Sequence, residues 1–244
     1  MTQGLRRTWY TFLDILFPPI CLNCRSNLLS YEEKEDLLCG ACFKGIKIYS
    51  NIVRPGPQFN LVAIGSYENS ALRELLHYFK YNGFLAAQVP LEKLIVKWLE
   101  INPTLIPICF PAPEGRGSPN SWAANSCLVP IPLHRKRLRD RGFNQAEIIG
   151  EILSRCLNLP LERNLLERIR NTKSQIKMSS SKEREENLKN SIRIKAGEES
   201  LLSQYQSAIL VDDIYTSGST MREAVKALRR AGVKDIAALV IAKT

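Results

Sequence analysis

The chain has 244 residues, 45% of them hydrophobic, which suits one large globular domain or a medium domain with a small one. Its 34 basic and 24 acidic residues give a formal net charge of +10. That charge favours phosphate-rich partners such as a phosphorylated substrate, a nucleic acid or an anionic membrane surface, or serves solubility alone. No run of 18 apolar residues is present, so we expect no membrane-spanning helix.

The N-terminal stretch predicts a short amphipathic helix that carries Trp9, Phe12, Leu13 and Leu16 on one side. Pro18-Pro19 ends the apolar stretch, and no small-residue cleavage site follows it, which argues against a signal peptide. Because the seven cysteines are an odd number, a complete secreted disulfide framework is also unexpected. We therefore expect a cytoplasmic protein.

Two close pairs of cysteines follow the predicted helix and are separated by 14 residues: Cys21-x-x-Cys24 and Cys39-x-x-Cys42. Two such pairs can supply four thiolates to a tetrahedral site, which predicts a bound zinc ion. Four thiolates leave no open coordination position, so the predicted zinc is structural rather than catalytic. The alternative of two redox or disulfide pairs requires an oxidising compartment. We expect residues 1–55 to form a first unit of helix and zinc ribbon, ended by Arg54-Pro55-Gly56-Pro57.

Residues 56–244 alternate between predicted strands and helices, which is typical of an α/β domain with a parallel sheet flanked by helices. Residues 102–126 contain five of the 13 prolines and predict a surface insertion, whereas the polar, charged residues 171–187 predict a flexible loop. The predicted strands cover 61–67, 127–132, 192–195, 208–211 and 236–241, and the predicted helices cover 71–81, 91–99 and 144–156.

A basic run follows the predicted strand that ends near Pro130. In an α/β sheet this position lies at the ligand-binding edge, and guanidinium groups match diphosphate oxygens well. The alternatives are a solvated basic loop or a nucleic-acid contact. The cations that we predict to bind a diphosphate are Arg135, Lys136, Arg139 and Arg141.

Two adjacent carboxylates, Asp212 and Asp213, follow the predicted strand 208–211 and precede a small loop rich in hydroxyl groups. A helix is predicted from Met221, so the loop offers N–H groups and hydroxyls at a helix N-terminus, which suits a phosphate. An ordinary strand-to-helix turn with an Asp cap is the alternative. No Lys follows the glycine and three spaced glycines are absent, which excludes a Walker loop and a dinucleotide fingerprint.

This run resembles the 5-phosphoribosyl diphosphate (PRPP) motif of type I phosphoribosyltransferases. The resemblance implies that Asp212 and Asp213 hold the ribose hydroxyls and act in catalysis, with Mg²⁺ bridging them to the diphosphate. It implies that Lys173, in the predicted flexible loop, reaches the diphosphate or the leaving group. The implied ligands of the 5′-phosphate are Thr216, Ser217, Gly218, Ser219 and Thr220.

The stretch 129–146, with Val-Pro-Ile-Pro-Leu followed by Arg-Gly-Phe-Asn-Gln-Ala, resembles the signature of ComF proteins, a phosphoribosyltransferase-like family associated with competence and DNA uptake. The two Cys pairs resemble that family's N-terminal zinc domain, and the likeness runs from about Phe17 to Lys243, apart from the insertion. It implies a type I phosphoribosyltransferase-like fold that binds PRPP and Mg²⁺, with transfer of the phosphoribosyl group to an unidentified acceptor.

The alternative function is a non-catalytic module that senses PRPP or binds single-stranded DNA, since the basic run also suits a nucleic-acid backbone. The family resemblance further implies single-stranded DNA or the DNA-uptake helicase machinery as partners.

Overall fold

The computed structural model describes residues 18–81, 84–108, 125–169 and 191–244. It divides into two units, Met1–Lys47 with Glu68–Leu91 and Ile48–Tyr67 with Glu92–Thr244. The predicted N-terminal amphipathic helix, the predicted flexible loop at 171–187 and the middle of the predicted insertion lie outside the described residues. The domain boundary that we predict at residue 55 stays a prediction.

Among the described residues of the first unit, the helices that lie wholly within it are α1 (Tyr31–Asp36), α2 (Gly40–Lys44) and α3 (Ser70–Tyr81). Helix α1 begins with a capping box, in which the Ser30 side chain accepts from the Glu33 N–H and the Glu33 carboxylate accepts from the Ser30 N–H. Leucines 72, 75 and 76 and Phe79 lie on the buried side of α3 at helical spacing. The Asn69 side chain donates to the Gly45 carbonyl at 2.9 Å, which joins the start of α3 to the end of α2.

Helix α4 (Phe84–Ile101) is longer than the predicted helix 91–99, and a short helix α5 (Leu105–Ile108) follows it. Pro90 lies inside α4, where it removes one helical hydrogen bond, and for this reason the sequence pattern suggested a start only after it. The Trp98 side chain is fully buried and its Nε1 donates to the Tyr49 carbonyl at 2.9 Å. Within the described residues, no helix is long and apolar enough to cross a membrane.

A five-stranded sheet forms the centre of the second unit, in the order β1-β2-β7-β6-β3. Strand β1 is antiparallel to β2, and all the other pairs are parallel, which confirms the predicted α/β class. Strands β6 and β7 of this sheet could be predicted from the sequence because they are buried on both faces and are therefore continuous apolar runs. The strands are β1 (Ile52–Val53), β2 (Asn60–Ser66), β3 (Ser126–Pro130), β6 (Ser207–Tyr215) and β7 (Asp235–Lys243).

Two helices pack on this sheet: α7 (Gln145–Leu157) contacts β3 and β6, and α9 (Ser219–Arg230) contacts β6. A separate antiparallel hairpin of β4 (Leu166–Arg168) and β5 (Ile192–Ile194) lies against α9. The remaining helices are α6 (Arg135–Arg141) and α8 (Glu199–Leu202). The apolar side chains of α9 join those of β2, β3, β6 and β7 in one core, to which Val225 and Leu228 contribute fully buried side chains.

Candidate functional site

The carboxyl ends of β3 and β6 lie side by side because the two strands are parallel neighbours. The Ile131 N–H donates to the Val211 carbonyl at 2.9 Å and continues the pairing beyond the end of β3. The Asn144 side chain, 4% exposed, donates to the Ile131 carbonyl at 3.1 Å and accepts from the Ala146 N–H at 3.2 Å. Asn144 therefore caps α7 and also fixes that helix to the end of β3.

The acidic pair lies within β6, whereas the sequence pattern ended this strand at Val211. The strand is longer because its parallel partner β7 continues alongside it, pairing Asp212 with Val240 and Tyr215 with Lys243. Asp213 is buried, with 8% of its surface exposed, and its N–H donates to Asp212 Oδ1 at 2.9 Å. The sheet thus holds both carboxylates rigidly at its carboxyl edge, where α/β proteins bind ligands.

The predicted phosphate loop leads directly into α9. Gly218 is the N-cap of α9 and has a φ of 72°, a left-handed conformation that favours glycine. The Ser217 and Ser219 hydroxyls are 2.8 Å apart, and Ser219 is 8% exposed. The first turn of α9 leaves N–H groups without helical acceptors beside these hydroxyls, an arrangement that suits an anion.

A cleft with a volume of about 40 Å³ opens at this loop. The cleft lies at the N-terminus of α9, where N–H groups and hydroxyls suit a phosphate group. Of the residues predicted to act in catalysis or to bind the 5′-phosphate, Asp213 is the one within the described chain that does not line this cleft. The lining residues are Asp212, Ile214, Tyr215, Thr216, Ser217, Gly218, Ser219, Thr220 and Met221.

The predicted diphosphate-binding cations lie on a helix, α6, rather than on an irregular loop. His134 caps it, since its Nδ1 accepts from the Lys136 N–H at 3.2 Å. Side chains three or four positions apart share one face of a helix, so Arg139 is next to both Arg135 and Lys136, whereas Arg141 points elsewhere. Helical geometry therefore does not aim all four predicted cations at one ligand, and their role in binding a diphosphate stays a prediction.

Arg168, at the end of β4, is a candidate that the sequence analysis missed. Its side chain is half-buried, and burial followed by repulsion from Arg137 lowers its pKa, while attraction to Asp212 opposes that change. Burial lowers the pKa of His134 as well, and the charge of Arg168 adds to that effect. The positive charge of Arg168, on the hairpin, therefore interacts with Arg137 and His134 and with the Asp212 carboxylate. Nothing in the sequence marks it, because short strands give no clear periodicity.

The four predicted zinc ligands lie together in the first unit, and their sulfur atoms all fall within 4.8 Å of one another. The sulfurs of Cys24 and Cys39 are 3.7 Å apart. A tetrahedral zinc site with Zn–S bonds of about 2.3 Å places its sulfurs about 3.8 Å apart, so the cluster fits zinc. The Cys39 N–H donates to Cys21 Sγ at 3.3 Å, as expected where backbone groups stabilise a thiolate.

The pKa values of two thiols in this cluster, those of Cys24 and Cys42, are shifted in opposite directions. A hydrogen bond with the Ser26 side chain, at 3.1 Å, lowers the pKa of Cys24 to about 6. The Asn23 side chain donates to Cys42 and lowers its pKa, but burial and the neighbouring thiols outweigh this and raise it to about 12. Four thiols at this spacing do not all lose their protons without a cation, and Zn²⁺ supplies the missing charge.

The mostly parallel sheet and the three-residue connection from β6 to α9 agree with a phosphoribosyltransferase-like class of protein. Residues 144–244, from the cap of α7 to the end of β7, match the phosphoribosyl transferase domain family. This match includes the acidic pair and the predicted phosphate loop, and it agrees with the fold expected from the PRPP-type motif.

Curated relatives cover nearly the whole chain. Competence protein ComFC of Bacillus subtilis is 35% identical over 219 residues, which are 87% of this chain and 79% of that protein. Competence protein F of Haemophilus influenzae is 27% identical over 230 residues (88% and 93%), and DNA utilization protein YhgH of Escherichia coli is 27% identical over 208 residues (85% and 78%). The chain belongs to the ComF family, as its sequence motifs predicted.

Proposed function

We propose that the protein binds PRPP with Mg²⁺ at the carboxyl edge of the sheet and transfers the phosphoribosyl group to an acceptor. The observation that carries this proposal is the cleft, in which Asp212 and the five predicted phosphate-binding residues line one space at the N-terminus of α9. A ribose 5-phosphate has its anionic end and its hydroxyls at opposite sides of one ring. The cleft matches this ligand, because it has an anion-binding loop on one side and the Asp212 carboxylate on the other.

Each part of the cleft has a separate task in this proposal. The loop binds the 5′-phosphate through N–H groups and hydroxyls, and Asp212 and Asp213 accept hydrogen bonds from the ribose hydroxyls. Mg²⁺, when bound, neutralises diphosphate oxygens, and the paired carboxylates with ribose hydroxyls are oxygen donors that suit it. In the transfer, the bond from ribose C1 to the diphosphate oxygen breaks, the diphosphate leaves with that electron pair, and an acceptor nucleophile bonds to C1. The carboxylates stabilise the positive charge that develops on the ribose.

Cations on the opposite side of the edge serve the leaving diphosphate. Arg135 and Arg139 share an exposed face of α6, and Arg168, which is also close enough to Arg137 to be repelled by it, adds positive charge near Asp212. We propose Lys173 as a further contact to the diphosphate; it lies outside the described residues. Zinc, held by the four cysteines, is structural, since no position remains for a substrate.

Two of the relatives are named competence proteins and a third a DNA utilization protein, and we propose that this chain acts in the same process, in the cytoplasm. A second candidate function is non-catalytic binding of single-stranded DNA, either directly or with DNA-uptake helicase machinery. The exposed cations of α6 favour it, because phosphate backbones bind to such rows of charge.

The proposal is tested by calorimetric titration of the zinc-loaded protein with PRPP and Mg²⁺. Asp212→Asn/Asp213→Asn keeps the shape of both side chains and removes their charge, so we expect at least about a tenfold loss of affinity. Asp235→Asn, at the other end of the sheet, is the matched control and retains the wild-type affinity. Absence of saturable, Mg²⁺-dependent binding by the wild-type protein, together with salt-sensitive binding of single-stranded DNA, would refute the transferase proposal and favour the second candidate.

A further inference from the structure

Arg222, in the first turns of α9, connects three parts of the phosphate loop. Its Nη1 donates to the Ser217 carbonyl at 2.9 Å, and its Nη2 lies 3.5 Å from the Ser219 hydroxyl. It also forms a hydrogen bond with the Tyr215 hydroxyl, which with the Arg222 charge opposes the rise that burial causes in the Tyr215 pKa. One guanidinium thus contacts the residue before the loop, a carbonyl inside it and a hydroxyl at its end.

The contact with the Ser217 carbonyl sets the direction of a neighbouring N–H. In a trans peptide the carbonyl and the N–H of the next residue point in opposite directions. Arg222 is not among the residues that line the cleft, whereas Ser217 and Gly218 are. Because the Ser217 carbonyl points to Arg222, the Gly218 N–H points away from Arg222, and an anion bound in the cleft that Gly218 lines would be a suitable acceptor for it.

Tyr215 packs against Gly218 and helps to fix the conformation of the loop. It is 7% exposed, and a Cβ atom placed on Gly218 would overlap its hydroxyl group. The ring therefore packs directly under the left-handed glycine, while Arg222 holds its hydroxyl. A carbonyl that turned into the cleft would repel a phosphate, and the contacts of Arg222 and Tyr215 prevent that rotation.

We propose that Arg222 is a positioning residue for 5′-phosphate recognition, which it achieves by the bidentate geometry of its guanidinium and not by its charge alone. This inference rests on the proposed function, because it concerns the same loop. Arginine presents its donors in a planar fork, whereas lysine is a single point charge, so the two side chains are not equivalent at such a position.

The test is titration of the zinc-loaded protein with two probes, ribose 5-phosphate and inorganic pyrophosphate. We expect Arg222→Met and Arg222→Lys each to weaken binding of ribose 5-phosphate about tenfold, because the loop loses hydrogen bonds to a charged group. The affinity for pyrophosphate stays within about twofold, since that probe relies on other cations. Arg230→Met removes an exposed cation from the last turn of the same helix and serves as the control.

Several results would overturn the inference. Wild-type affinity in the Lys variant would show that charge alone suffices, and equal losses for both probes would show a general effect on the fold. Failure of the wild-type protein to bind ribose 5-phosphate would also contradict it. The proposed function fails separately: if ribose 5-phosphate binding depends on Arg222 but PRPP with Mg²⁺ binds no better than ribose 5-phosphate, this inference stands and the transferase proposal does not.

Discussion

Gly218 is the residue on which the loop geometry depends most directly. Two features exclude a side chain there, the φ of 72° and the Tyr215 hydroxyl in the space that a Cβ would occupy. Gly232 has a φ of 97° but no atom within 4 Å of the corresponding position. Alanine substitutions at Gly218 and at Gly232 can therefore separate the energetic cost of the backbone conformation from the cost of steric overlap.

We predict that Gly218→Ala lowers the free energy of unfolding by about 3 kcal/mol and removes binding of ribose 5-phosphate, because overlap with Tyr215 adds to the backbone cost. The control Gly232→Ala loses about 1 kcal/mol through the backbone cost alone and keeps that binding. Urea denaturation and calorimetric titration measure the two effects. Equal losses of stability in both variants would contradict the steric explanation.

His134 lies among cations, and the lowering of its pKa predicts that the stability of the protein depends on pH. Its pKa in the folded state is lowered by burial and then by Arg168, so the folded protein favours the neutral imidazole. As the pH falls below the unfolded-state pKa of about 6.5, the unfolded chain takes up a proton that the folded chain resists. The stabilising contribution is therefore complete above that pKa and is lost as the pH falls toward the folded-state value.

We predict that His134→Asn reduces the loss of stability between pH 7.5 and pH 5.5, because Asn keeps an N-cap acceptor for α6 but does not titrate. The other histidine of the chain, His77, is exposed on α3, and His77→Asn provides the control. The free energy of unfolding, measured in urea at both pH values, decides the matter. A pH dependence equal to that of the wild-type protein in His134→Asn would contradict this role.

Among single residues, the sequence could predict those whose chemistry is unusual for their position. Adjacent carboxylates after an apolar run, and four cysteines in two close pairs, have few ordinary structural explanations. Arg168 and Arg222 could not be predicted, since each is one of many arginines and its importance comes from long-range or loop contacts. Their positions depend on how a hairpin and a helix turn are placed, which periodicity does not reveal.

The apolar pattern of the sequence predicts that the core strands and most of the helices exist. It does not predict the residues at which these elements begin and end. Strand β6 extends through the acidic pair because β7 provides hydrogen-bonding partners as far as Lys243. Helix α6 forms in a segment with few apolar residues, since His134 caps its start and Gly142, in a left-handed conformation, ends it. Tertiary pairing and capping decide these limits.

The two cysteine knuckles bring together four sulfur atoms at a spacing that fits a metal ion. The described helices near them are short, and α1 and α2 bury no residue completely, so packing alone offers them little stability. Zinc would supply this stability by cross-linking residues 21–24 to residues 39–42.

We predict that removal of zinc by a chelator accelerates hydrogen exchange in α1 and α2 and leaves β6 and β7 protected, because the sheet has its own buried core. A Cys39→Ser variant shows the same change without chelator, whereas Cys156→Ser, at an exposed cysteine outside the cluster, does not. Exchange monitored by mass spectrometry gives both results. Unchanged protection of α1 and α2 after complete loss of metal would contradict a structural role for zinc.

For the whole molecule, the charge of +10 indicates anionic partners but does not choose among them. The cleft at the N-terminus of α9 suits a phosphate group, whereas the exposed cations of α6 also suit a nucleic-acid backbone. Salt dependence distinguishes the two, because backbone binding releases counterions in proportion to the number of phosphates contacted.

If single-stranded DNA binds along α6, we predict that replacing Arg135, Lys136 and Arg139 by Ser makes binding less sensitive to salt. The negative slope of log affinity against log salt should become shallower by about 2, because each phosphate contact to a single strand contributes about 0.7. Fluorescence anisotropy at several salt concentrations measures the slope. An unchanged slope would exclude α6 as the binding surface. A control that removes three exposed cations elsewhere replaces Lys93, Lys97 and Arg230.

The proposed function requires that a phosphoribosyl ligand binds where β6 ends and α9 begins. Hydrogen exchange of the zinc-loaded protein, with and without saturating PRPP and Mg²⁺, measures whether it does. We predict slower exchange in peptides that cover residues 216–221 and no change around residues 54–60, at the opposite end of the sheet. Unchanged exchange at 216–221 in the presence of saturating ligand, or protection confined to another surface, would contradict the account.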